Sequence, residues 1–117
     1  MIQCNLKGLH ELTPGSYYIP IQILELFLQD TPRSIENANS SLEKNEIDNV
    51  YKAIHKIKPS LILIGIPEKT LQNVLLINSN CKDKVNLDQL KPILKKLSDD
   101  LDEIYVYLRI ELEKMKN

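Results

Sequence analysis

Along much of the chain, apolar residues recur at three- and four-residue steps, the spacing that lines one face of an α-helix. Ile47, Val50, Ile54, Ile57, Leu61 and Ile64 form the clearest such stripe. An earlier one, Ile21, Leu24, Leu28, Ile35 and Leu42 with Phe27 alongside, begins just after Ser16, a suitable N-cap. Pro20 is tolerated in its first turns, but Pro32 lies inside the stripe and predicts a kink or break around Asp30-Thr31. The final stripe, Leu90, Leu94, Leu97, Leu101, Ile104, Leu108 and Leu112, keeps a heptad rhythm and predicts one helix over 87–114. Pro92 marks either the onset of that helix or a distortion of its first turn.

Between the stripes the punctuation is short. Leu6, Leu9 and Leu12 predict a brief first helix that Thr13-Pro14-Gly15 ends. Lys44-Asn45 reads as a turn, with Asn45 as N-cap of the next helix and Asp48 as its acidic third position. Ile66-Pro67-Glu68 reads as another turn. Leu71, Val74, Leu75 and Leu76 predict a short helix ending near Asn78-Ser79-Asn80, followed by a polar loop over 82–86. The run from Leu61 to Ile66 suits helix or strand by composition; its surroundings make it the buried end of a helix. Helices of this length joined by short turns predict an all-α, up-down four-helix bundle with a short additional N-terminal helix. The expected layout is a single helical domain over 1–117, with 1–15 as lead-in and 16–114 as bundle.

Composition narrows the possibilities. A chain of 117 residues suffices for one core, and 43% apolar with 26% charged residues is an ordinary globular balance. A formal net charge of −1 argues against a general nucleic-acid binder. The start lacks the pattern of a signal peptide, and no apolar run approaches the roughly 18 residues of a membrane span. Cys4 and Cys81 are two thiols without CxxC spacing, so a reduced, cytoplasmic setting is the expectation.

Candidate chemistry centres on His55. With Ile54 at the middle of its apolar face and about 100° of turn per residue, the imidazole falls on the border between core and water. Lys58 and Pro59 follow one turn along the same flank. A neutral imidazole is a good nucleophile near neutral pH, and a cation beside it can neutralise phosphoryl oxygens. Ser60 adds a hydroxyl in sequence, although it lies about 140° around the helix from His55. Pro59 removes the hydrogen bond to the His55 carbonyl and predicts a bend one turn past the histidine. Lys52, Lys56, Lys58 and Lys69 face a single acid, Glu68, in that region, whereas acids prevail from Asp30 to Asp48. Positive charge is therefore gathered around His55, where it would steer an acidic partner.

The spacing of Ala53, His55, Lys58 and Gly65 resembles that of histidine phosphotransfer domains, the phosphocarriers of bacterial multi-step phosphorelays. In that family an Ala directly precedes the His, and Gly residues stand four and ten places after it. Here the Ala is one place earlier and Pro59 takes the place of the first Gly. The resemblance implies that His55 accepts a phosphoryl group from a receiver-domain aspartate and passes it to another receiver. It implies Lys58, with Ser60 as a minor contributor, for phosphate binding, and Lys52, Lys56, Pro59, Ile62 and Gly65 for partner docking. It further implies a monomeric phosphocarrier rather than a turnover enzyme, with no cofactor of its own and Mg²⁺ carried by the receiver. The partners would be a response-regulator receiver domain and a hybrid sensor histidine kinase, with no nucleic acid and no membrane.

Two other readings stand beside this one. A helical docking module would bind a receiver or signalling partner without taking phosphate, if a bend at Pro59 turned the imidazole away. A small metal-dependent enzyme would need ligand spacing that Cys4, His10, His55 and Cys81 do not have. His10 has neither partner nor pattern in sequence, and Tyr17-Tyr18 and Tyr105/Tyr107 read as rim residues of the core.

Overall fold

The computed structural model describes residues 2–83 and 87–117. Five helices follow in order: α1 (Lys7–His10), α2 (Tyr18–Glu43), α3 (Ile47–Leu63), α4 (Glu68–Lys82) and α5 (Leu87–Lys116). Helices α2 to α5 pack in a closed ring, each against its sequence neighbour and α2 against α5, which makes the up-down four-helix bundle. The seven apolar positions of the α5 heptad are all buried, as are Val50, Ile54, Ile57, Leu61 and Ile64 of the α3 stripe. On α2, Leu24, Phe27, Ile35 and Leu42 are buried, while Ile21 and Leu28 are half-buried at its edge. Leu6 and Leu9, around the single turn of α1, are buried in the same core.

Two helix ends share one device. Each of α2 and α3 closes with a residue of positive φ, Asn45 at 59° and Gly65 at 69°. Beyond them, the Glu46 N–H donates to the Ser41 carbonyl (2.8 Å) and the Ile66 N–H to the Leu61 carbonyl (3.3 Å). These are the six-to-one bonds of Schellman caps, completed by Asn45 to Leu42 (3.1 Å) and Gly65 to Ile62 (3.0 Å). Asn45 therefore ends α2 rather than capping α3, whose N-cap is Glu46 without a side-chain cap bond. The α2 N-cap is Tyr17, one place after the expected Ser16, whose hydroxyl instead accepts from the Tyr18 N–H (3.2 Å).

Pro32, Pro59 and Pro92 each lie inside a helix rather than at a break. α2 runs through Pro32 as one helix of 26 residues, and α3 runs through Pro59 without interruption. Pro32 is half-buried in a recess with Ser98, Asp102 and Tyr105 of α5, so packing between the helices offsets the lost backbone bond. α5 begins at Leu87, ahead of Pro92, so that proline does not mark its onset. α4 continues through Asn78-Ser79-Asn80 to Lys82, because Ile77 and Cys81 keep its buried face in the core for another turn. Of the expected loop over 82–86, Lys82 is helical, Asp83 is the C-cap, and 84–86 lie outside the described residues.

Tyr17 and Tyr18 are exposed, not at the core rim. Tyr105 is buried edge-on to Phe27, and half-buried Tyr107 donates to the Cys4 carbonyl (3.3 Å). Cys4 and Cys81 are buried free thiols, and burial pushes each up to about 11.

Candidate functional site

α3 is the element that carries the site, and its neighbours decide what each flank offers. One flank lies against α2. Ala53, Lys52 and Lys56 line a polar groove of about 530 Å³ with Ser34, Asn37 and Lys44. Further along, Ile57, Ser60 and Leu63 meet Leu26, Phe27 and Ser34 of α2. The opposite flank, where Tyr51, His55, Lys58 and Ile62 follow one another at steps of four, three and four, turns towards α4.

His55 is exposed near the middle of that flank. Its ring is stacked, offset, on that of Tyr51 one turn earlier, with centroids 5.3 Å apart and planes 11° from parallel. No hydrogen bond or ion pair reaches the imidazole among the described residues. Lys58, half-buried one turn later, is the nearest cation along the stripe. The five lysines of α5 all have carboxylate partners, at 2.9 to 3.8 Å. Lys52, Lys56 and Lys58 of α3 have none among the described residues. Charge on α3 is thus left uncancelled beside the imidazole, in the form an incoming anion can use.

The expected site residues therefore divide. His55, Lys58 and Ile62 share one flank, and Pro59 is exposed beside them. Ile62 is 53% exposed, an apolar side chain in water on the same stripe as the imidazole. Lys52 and Lys56 border the α2 groove instead, so they form a charged rim to one side of His55. Ser60 opens into the space between α2 and α3, away from the histidine. Gly65 lies at the end of α3, where its carbonyl accepts from the Asn5 N–H (2.8 Å) and a Cβ would stand 1.9 Å from the Asn5 carbonyl oxygen. The N-terminal segment covers it, and backbone geometry accounts for the glycine.

Two contributors escaped the sequence reading. Tyr51 was legible in principle, because it stands four residues before His55 on the same face. Leu75, expected only as part of the α4 helix, is 43% exposed. Thr70 and Asn73 line a recess with Lys96 and Asp100 of α5, so the other flank of α4, which holds Leu71, Leu75 and Asn78, turns to α3. Residues equally far from the α3–α4 turn lie level in an antiparallel pair, which sets Leu75 roughly beside His55. His10, the other histidine, is half-buried edge-on to Tyr17 at 5.7 Å, on a different part of the molecule. No group of three or more potential metal ligands is found among the described residues, and no helix there is long and apolar enough to cross a membrane.

No protein-family model matches the sequence, and no curated protein matches it. Among solved structures, the chain is similar to the HPT domain of a sensor hybrid histidine kinase from Shewanella. The TM-score is 0.83 over 97% of both chains, at 19% sequence identity. At that identity the likeness is one of fold: the helical bundle here has the architecture of an HPT domain.

Proposed function

We propose that the protein is a histidine phosphocarrier, with His55 as phosphoacceptor. An in-plane nitrogen lone pair of the neutral imidazole attacks the phosphorus of a receiver's aspartyl phosphate. The N–P bond forms as the P–O bond to the aspartate breaks, its electron pair returns to the carboxylate, and the other ring nitrogen releases its proton to water. The reverse sequence delivers the group to a second receiver. Lys58 neutralises the phosphoryl oxygens during transfer, and the receiver supplies Mg²⁺ and the acidic pocket. Ile62 and Leu75 form the apolar part of the docking surface, with Lys52 and Lys56 as its charged rim. The protein passes the group on without consuming a substrate, so it acts as an intermediate rather than a turnover enzyme.

The observation that carries this reading is an exposed imidazole one helical turn from a lysine that has no carboxylate partner among the described residues, on a helix of a bundle with HPT-domain architecture. Because α3 is continuous through Pro59, no break in the helix separates His55 from Lys58. Incubation with a phosphorylated receiver should give an acid-labile, alkali-stable phosphoprotein that is absent in His55→Gln. Lys58→Ala should slow transfer about tenfold, the loss of one charge-assisted contact, with the fold intact. Label retained by His55→Gln, or receiver binding without any transfer by the unaltered protein, would refute the assignment.

A further inference from the structure

We infer that Tyr51 is a positioning residue for His55, holding the imidazole so that its nitrogens face outward for phosphoryl transfer. The inference rests on the phosphocarrier reading for its purpose, but its geometry stands apart from it. A side chain at the rim of a helix ordinarily samples several rotamers. No hydrogen bond or ion pair restrains this one among the described residues, and its ring contact is with Tyr51. The platform itself is anchored: Tyr51 is half-buried and packs against the core, whereas His55 is exposed.

The form of the contact matters. Near-parallel planes, 11° apart with centroids at 5.3 Å, set the two rings in an offset stack. The nucleophilic lone pair of an imidazole lies in the ring plane, not above it. A neighbour stacked this way restrains the ring through its π-face while leaving the reacting edge open. A hydrogen bond to either nitrogen would hold the ring equally well, but it would occupy an atom the chemistry needs. Stacking avoids that conflict.

Aromatic pairs of this kind shift a local equilibrium by about three- to tenfold, which bounds the effect on the rate of attack. The test uses phosphoramidate, a small phosphoryl donor that needs no docking surface, together with NMR of the His55 ring protons. Tyr51→Phe should keep both the upfield ring-current shift of the His55 protons and the rate of phosphorylation. Tyr51→Leu retains an apolar anchor without a π-face; it should lose the shift and slow phosphorylation about three- to tenfold with thermal stability held. A Tyr51→Leu variant that reacts at the unaltered rate would overturn the inference. So would a Tyr51→Phe variant as slow as Tyr51→Leu, because the hydroxyl and not the ring face would then be at work. If His55 takes no phosphate from any donor while its ring shift still follows Tyr51, the positioning geometry stands and the phosphocarrier reading falls.

Discussion

At Gly65 and Asn45 the same backbone conformation is met by different residues, and the surroundings explain the choice. Asn45 is exposed, and asparagine visits the left-handed region at small cost. Gly65 lies under the Asn5 backbone, where a Cβ would collide with the carbonyl oxygen whatever its φ. Gly65→Ala should therefore destabilise the fold by about 2–4 kcal/mol, from left-handed strain and the displaced N-terminal segment together. Urea unfolding measures that loss, and phosphorylation of the remaining folded fraction should proceed at the unaltered rate. A slowed rate without loss of stability would instead give Gly65 a part in docking. The glycine was visible in sequence as one member of a spaced motif; the reason for it was not, because Asn5 is sixty residues away in the chain. That His55 and Lys58 share one flank of α3 was legible for the opposite reason, since everything that relates them lies within one helical turn.

Between elements, the seam of α4 and α5 is fixed by a buried polar contact rather than by leucines alone. The Thr70 hydroxyl donates to one carboxylate oxygen of Asp100 (3.2 Å), and the Lys96 amine reaches the other (2.9 Å). Thr70 and Asp100 are both buried, and the Asp100 carboxylate raises the Lys96 pKa, first through the hydrogen bond. Thr70→Val keeps the shape but strands one carboxylate oxygen, so it should cost about 1–3 kcal/mol in chemical denaturation. An unchanged midpoint would show that the carboxylate finds water instead. Nothing in the local pattern points to this pairing, because Thr70 and Asp100 belong to different helices. The heptad of α5 shows in periodicity alone, whereas nothing near Pro32 in sequence tells that α2 continues through it, because the packing that retains it comes from α5.

Across the whole molecule, an almost neutral chain has an uneven surface: each lysine of α5 has a carboxylate partner, four within the helix and Lys116 at Glu25 of α2, whereas those of α3 have none among the described residues. Lys52→Glu/Lys56→Glu should slow association with a receiver about tenfold at low ionic strength and far less at high salt, with stability unchanged. Equal slowing at both salt concentrations would take these lysines out of long-range steering. The bundle measures 47 × 22 × 19 Å and has one flank that carries an exposed imidazole, a half-buried lysine and exposed apolar side chains. On the proposed reading that flank receives both the donor and the acceptor of the phosphoryl group. A rod this slender leaves no room for two globular visitors at a single imidazole. Traffic through it must therefore be sequential: the spent donor departs before the acceptor arrives, and a surplus of either unphosphorylated partner holds up the other.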